Sequence, residues 1–213
     1  DQHFICKGPG SGGKQWGCYQ VLGNLMLAFD GQTDGTTVQN YRRELDLDKA
    51  MAKTSYELKG VNYSREYWTS FADDVGVIRL QSSKKGQLSL EIKIDRPERA
   101  TAKTEDGELV LVGQLDNGVD GKGMQFKTRV SAKIIGGKQL VKGQSIVIQQ
   151  ADEVLIYVAT DTDFKGKDFE RTTAETLAKA LKKSYSQQYA EHLQNYLAKF
   201  NRLSLRLGQS KDD

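Results

Sequence analysis

Leu88-Ser89-Leu90-Glu91-Ile92-Lys93-Ile94-Asp95 places every apolar side chain on one side of an extended backbone and every polar one on the other. Successive strand side chains alternate between faces, so a period of two describes a β-strand with one dry and one wet face. The run Phe126-Thr128-Val130-Ala132-Ile134, interleaved with Lys127, Arg129, Ser131 and Lys133, repeats the pattern. Both runs predict antiparallel sheets in which one face meets water.

Working outward, Leu25, Leu27 and Phe29 share a strand face, as do Ala50, Ala52, Thr54, Tyr56 and Leu58. Val61, Tyr63, Arg65 and Tyr67 keep the period with one charged exception, and Asp46 and Asp48 alternate with Leu45 and Leu47 as the solvent face of a strand. Turn signals separate the runs: Asp34-Gly35, Lys59-Gly60, Lys85-Gly86, Asp106-Gly107, Asn117-Gly118, Gly136-Gly137 and Lys142-Gly143. Glycine reaches positive φ there without steric cost. The two prolines, Pro9 and Pro97, fall outside the strands. About ten strands uninterrupted by a helix predict a mainly β fold, an antiparallel β-sandwich over residues 1–168, rather than a parallel α/β sheet.

The period lengthens at about Phe169. Ala174, Leu177, Ala178, Leu181 and Tyr185 recur at helical spacing, with Thr172 and Glu175 as a capping-box pair. A second stripe, Tyr189, Leu193, Tyr196, Leu197 and Phe200, follows Ser184-Tyr185-Ser186. Leu203, Leu205 and Leu207 then return to a two-residue period before Gly208, which predicts a terminal strand after the two α-helices. Residues 169–213 therefore read as a two-helix linker and the start of a next domain. The helices can pack against the sandwich or dock on a neighbour, and periodicity alone does not choose.

Composition narrows the class. The 213 residues carry 31 Lys and Arg against 28 Asp and Glu, a formal net charge of +3, with 38% hydrophobic residues. That balance suits a packed core, excludes a disordered chain, and gives no clustered basic excess for nucleic acid. The densest cationic stretch, Lys179 to Lys183, reads as a solvated helix face. Mean hydropathy is −0.59, and no apolar run approaches the roughly 18 residues of a membrane span. Cys6 and Cys18 flank the glycine-rich segment Lys7 to Gly13; a disulfide in an exported protein and two reduced thiols fit equally well.

Candidate chemistry is sparse. The pairs Asp73-Asp74, Asp152-Glu153 and Asp161/Asp163 invite a glycosidase acid/base reading, yet each lies in or beside a turn, where Asp serves its own backbone. His3 and His192 are the only histidines, too few for a nucleophilic triad or a metal cluster, and His192 reads as a helix-packing residue. Gly8 to Gly13 lacks the Gly-Lys-Ser/Thr ending of a phosphate loop. No catalytic, metal or cofactor site is assigned. Trp16, Tyr19 and Gln20, with Tyr63, Tyr67 and Trp68, supply rings and an amide suited to stacking on sugars, although core packing is the default for such aromatics.

The strings Gly17-Cys18-Tyr19-Gln20-Val21-Leu22-Gly23-Asn24-Leu25, Tyr41-Arg42-Arg43-Glu44-Leu45-Asp46-Leu47-Asp48 and Tyr63-Ser64-Arg65-Glu66 resemble the N-terminal region of glycoside hydrolase family 95, the 1,2-α-L-fucosidase-like enzymes. The tail from His192 to Gly208 resembles that family's helical linker and following strand. The resemblance implies a super-sandwich type β-domain and linker. In the family these precede an (α/α)6 barrel that holds the inverting carboxylates, and none of its catalytic residues maps onto this sequence.

It further implies a parent enzyme that hydrolyses terminal α-L-fucosyl linkages, with the barrel as this domain's partner and a fucosylated glycan as the parent's substrate. Truncation on both sides of the chain and a periplasmic or extracellular location are expected on the same ground. Trp16, Tyr19 and Gln20 are the residues expected to reach the barrel's sugar pocket. The alternative is an independent carbohydrate-binding module, which requires Trp16, Tyr63, Tyr67 and Trp68 to be exposed.

Overall fold

The apolar halves of the alternating runs meet in one interior. The computed structural model describes residues 21–31, 36–117, 120–166, 168–205 and 208. Its strands are β1 (Asn24–Phe29), β2 (Gln39–Asp46), β3 (Met51–Leu58), β4 (Val61–Ser70), β5 (Val75–Ser82), β6 (Leu88–Asp95), β7 (Ala100–Glu105), β8 (Glu108–Gln114), β9 (Gln125–Ile135), β10 (Lys138–Lys142), β11 (Ser145–Ala151) and β12 (Glu153–Thr162). Helices α1 (Phe169–Lys182) and α2 (Tyr185–Phe200) follow.

The strands form two antiparallel sheets. A four-stranded one has the order β1-β6-β11-β10, and an eight-stranded one the order β2-β3-β4-β5-β12-β9-β8-β7. Leu88, Leu90, Ile92 and Ile94 of β6 face Phe126, Val130, Ala132, Val154 and Ile156 of the larger sheet across this core. The mainly β, antiparallel sandwich is thus as the alternation predicts.

Among the described residues twelve strands appear where about ten were expected, because several carry no alternation. Val154, Leu155, Ile156 and Tyr157 of β12 are all buried, and so are Leu109, Val110 and Leu111 of β8. Strands covered on both faces read as continuous apolar runs. Lys59-Gly60 and Asp106-Gly107 each join two paired strands with both residues at positive φ, the type I′ turn that matches strand twist, while Gly136-Gly137, also at positive φ, carries the chain from β9 in the large sheet to β10 in the small one.

Helix α1 lies across β9 and β12 on the other face of the large sheet, which turns the sandwich into a third layer there. Trp68, Val75, Val77, Leu155, Tyr157, Leu177 and Ala180 make this second core. The expected wet face of β9 is therefore not wet: Lys127 and Ser131 are buried beneath the helix layer.

Several boundaries differ from expectation. Helix α1 begins at Phe169 with Asp168 as its cap, so Thr172 lies inside the first turn, where its hydroxyl donates to the Asp168 carbonyl at 3.1 Å. The capping box stands instead at α2, where Ser184 Oγ accepts from Gln187 N–H and Gln187 Oε1 accepts from Ser184 N–H. Tyr185 belongs to α2, because extended Lys183 and Ser184 separate the helices. Asp46 ends β2 and accepts from Lys49 in the turn, while Leu45 and Leu47 are exposed on an edge that the smaller sheet does not reach. Residues 203–205 form no strand, and Leu207 lies outside the described residues.

Candidate functional site

The seam between the large sheet and the helical pair holds the densest polar chemistry of the described residues. Its floor is set by register. Glu66 of β4 pairs with Arg79 of β5 and Lys53 of β3, and Glu153 of β12, directly opposite Gln81, lies diagonal to Arg79. Arg79 donates through Nε and Nη2 to the two carboxylate oxygens of Glu153 at 3.1 and 3.0 Å, and Gln81 Nε2 donates to the same group at 2.9 Å. This planar fork is the geometry in which a guanidinium holds a carboxylate most firmly.

Tyr185 reaches into this floor from α2. Its hydroxyl donates to Glu66 Oε2 at 2.8 Å, and the Arg79 guanidinium lies 4.1 Å from its ring centroid. Burial first, and then the bond to Glu66, pushes the Tyr185 phenol far above its ordinary value, so it stays neutral and donates. A cleft of about 560 Å³ opens beside it, lined by Glu44, Asp46, Lys49, Lys53 and Tyr189 among others.

Deeper in the seam the polar contacts are buried. Tyr157 OH donates to Gln188 Oε1 at 2.9 Å, and Gln188 Nε2 donates to the Ala180 carbonyl at 3.0 Å. Desolvation, with Asp73 and Glu153 nearby, pushes the Tyr157 phenol up to about 12. Asp73, its side chain fully enclosed, pairs with Lys183 at 2.7 Å, and Ser70 Oγ donates to its other oxygen. Asp73 and then Glu191 raise the Lys183 ammonium above its usual value.

Lys133 Nζ donates to the Leu181 and Lys183 carbonyls at 2.9 and 3.2 Å, where α1 ends and its carbonyls lack helical partners. At the other end Lys127 pairs with Glu170 at 3.1 Å. Along α2 a ladder of rings runs Tyr185, Tyr189, His192, Tyr196 and Phe200, with centroids 5.0 to 6.2 Å apart. Trp68 packs against its first three members.

In this arrangement the described carboxylates are already partnered. Both oxygens of Glu153 are occupied, and Glu66 serves Tyr185 with Arg79 and Lys53 at 3.7 Å. Among the described residues no group of His, Cys, Asp and Glu converges to hold a metal ion.

The sequence-predicted residues fall as follows. Trp16, Tyr19, Gln20, Cys6, Cys18 and the Gly8–Gly13 stretch lie outside the described residues. His192 is the packing residue expected of it, buried with Nε2 at 2.9 Å from the Lys49 carbonyl. Asp152 accepts from Gly86 N–H and Asp163 from Gln125 N–H, the structural roles expected of turn carboxylates. Trp68 is buried, and Tyr63 and Tyr67 are half-buried. Sequence reading missed the Glu66–Arg79–Glu153–Tyr185 group, for which the available signal was Arg79 as a single charge inside Val75-Gly76-Val77-Ile78-Arg79-Leu80.

An antiparallel two-sheet sandwich with a helical pair docked on its larger sheet is the class of domain that the fold and this seam define. The chain belongs to the family described as "Glycosyl hydrolase family 65, N-terminal domain", whose model matches residues 3–167. It is similar to "Alpha-L-fucosidase 2" of Arabidopsis thaliana, 29% identical over 90% of this chain and 26% of that protein. It is also similar to "Probable alpha-fucosidase A" of Aspergillus niger, 27% identical over 90% of this chain and 26% of that one.

The chain thus spans about a quarter of these curated relatives, and the resemblance to fucosidase-like enzymes read from its motifs holds across nearly all of it. Among solved structures, "Putative kojibiose phosphorylase from human microbiome" shares the fold, with a TM-score of 0.58 at 10% identity over 81% of this chain and 27% of that one. No helix of the described residues is long and apolar enough to cross a membrane.

Proposed function

We propose that this chain is the non-catalytic N-terminal domain of an α-L-fucosidase-like glycoside hydrolase, whose inverting cleavage of terminal α-L-fucosyl linkages takes place in a barrel outside it. The observation that carries this is the lopsided coverage: 90% of the chain aligns with a protein named for fucosidase activity, yet only 26% of that protein is represented. The domain's work is mechanical. Its polar seam fixes the helical pair, and α2 in turn presents Leu193, Leu197 and Phe200, none of them buried against the sandwich, to the barrel. Exposed Phe71, with Lys199 3.8 Å from its ring centroid, extends that apolar surface.

The parent acts on fucosylated glycans in the periplasm or outside the cell. Burial of Trp68 weakens the reading as a free-standing binding module with an aromatic strip. The test assays this chain and its full-length parent side by side for fucose release from an α1,2-fucosylated oligosaccharide. Release by the parent alone is expected. Release by the 213-residue chain would overturn the non-catalytic role, and release by neither would overturn the fucosidase assignment.

A further inference from the structure

The large sheet outreaches the small one. Strand β4 still faces β1, the edge of the four-stranded sheet, through Tyr63 and Arg65, but β3 and β2 lie beyond it, and neither contributes a side chain to the inter-sheet core. On that overhang a cleft of about 390 Å³ is lined by Tyr41, Arg43, Thr54, Tyr56, Arg65 and Tyr67. Arg43, Thr54 and Arg65 stand in one row by strand register, which spans about 10 Å at the usual strand separation. Arg65 is anchored as a wall of the cleft, since its Nη2 donates to Tyr56 OH at 2.8 Å and its guanidinium covers the Phe29 ring at 4.0 Å. Arg43 is exposed, and no ion pair or hydrogen bond occupies its side chain among the described residues.

We infer that this overhang binds an anionic oligosaccharide, a chain of uronic acid or sulfated sugar residues, with Arg43 forking onto the acidic group and Tyr67 stacking on a sugar face. Sugar recognition needs flat apolar rings beside polar groups, and Tyr41 and Tyr67 provide those rings. The choice of charge follows from what the lining lacks. Sites for neutral sugars take up hydroxyl protons on carboxylates or amides, and none of the described lining residues is Asp, Glu, Asn or Gln. A lining of guanidinium and hydroxyl donors asks the ligand to bring the acceptors. The preference for a saccharide over other stacked polyanions rests on the glycoside-hydrolase reading above.

The experiment titrates this chain by calorimetry with trigalacturonate, with its methyl ester, and with an oligouridylate of equal charge. Binding of the acid form alone is expected. Arg43→Gln should weaken it by about tenfold, the value of one charged hydrogen-bonded contact. Arg42→Gln, one residue away but on the opposite face of β2, should leave it unchanged; both side chains are exposed, so neither variant threatens folding. Equal binding of the ester, tighter binding of the oligouridylate, no binding at millimolar ligand, or equal weakening by both variants would each overturn the proposal. The readout is direct binding to this chain, so it stands apart from whether the parent releases fucose.

Discussion

Strands β6 and β9 have the same sequence grammar and opposite surroundings. On β6 the polar positions Ser89, Glu91, Lys93 and Asp95 form an open outer face, where Lys93 and Glu91 pair with each other at 2.8 Å in water. On β9 the equivalent positions lie under α1: Lys127 is buried against Glu170, and Lys133 donates to the last carbonyls of the helix. Alternation therefore reports that a strand has two chemically different faces; it does not report what covers the polar one. A lysine there can be a solubilising charge or the tie for another element, and its long stem lets it cross an apolar layer to reach a carbonyl.

The two strands are alike only on their apolar sides, and the largest expected effect tests that likeness. Ile92 of β6 is fully buried in the inter-sheet core. Ile92→Ala should destabilise the chain by about 2–5 kcal/mol, the range for removing three buried carbons without full collapse of the cavity. Urea unfolding checks it, and a loss under about 1 kcal/mol would mean that the smaller sheet contributes little to the shared interior.

The next effect separates the covered face from the open one by pH. Tyr157 lies beside Ser131 of β9 on the covered face, and burial holds its phenol up at about 12. An ordinary tyrosine ionises near 10, so between about pH 10 and 12 the unfolded chain gives up this proton while the folded chain keeps it. Stability is intact below that window and falls as pH rises through it, by about 2–3 kcal/mol at one unit per 1.36 kcal/mol. Tyr157→Phe should start less stable at pH 8, having stranded Gln188 Oε1, and should lose less on going to pH 12. Parallel curves for the two proteins would break the assignment.

Much of the fold was legible for the same reason that the seam was not. The runs at Leu88 and Phe126 and the turns Lys59-Gly60 and Asp106-Gly107 declare strands and hairpins through local chemistry alone. Strands β8 and β12 are continuous apolar stretches without a period, so their number and place depend on the elements that cover them. The stripe expected of α2 holds at Tyr189 and Tyr196, which meet the sandwich, and departs at its leucines for a related cause. Gln188 and His192 take the fully buried positions because polar partners, Tyr157 OH on the sheet and the Lys49 carbonyl in the turn after β2, wait there, and Leu193 and Leu197 stay half-buried. Partners 31 and 143 residues away leave no mark in a local pattern.

Lysine substitutions put the comparison of β6 and β9 directly. Lys133→Ala removes two hydrogen bonds from a charged donor to the carbonyls that end α1, at an expected cost of about 1.5–2 kcal/mol. Lys93→Ala, in the matching position of the open face, should stay within about 0.5 kcal/mol. Hydrogen exchange sharpens the reading. Lys133→Ala should speed exchange along α1 and leave β6 and β11 amides protected, because the helix layer can loosen while the sandwich stays closed. Equal effects of the two lysines would mean that the covered face is held by apolar burial alone.

The smallest effect concerns the joint between the helices. Only Lys183 and Ser184 separate α1 from α2, and the capping box of Ser184 with Gln187 satisfies the first backbone donors of α2. Ser184→Ala should cost about 1 kcal/mol, and Ser184→Asp should restore most of it by accepting the same N–H beside the positive end of the helix dipole. The loss should appear as faster amide exchange in the first turn of α2, ahead of any change in α1 or the sheets. Tyr185 and Gln188 both lie in that turn and both reach the sheet, one to Glu66 and one to Tyr157. A cap that fixes the start of α2 therefore also fixes the angle at which its aromatic ladder leaves the sandwich. If Ser184→Ala frays the turn without shifting the signals of Tyr189 and His192, the ladder is positioned by Trp68 packing and not by the cap.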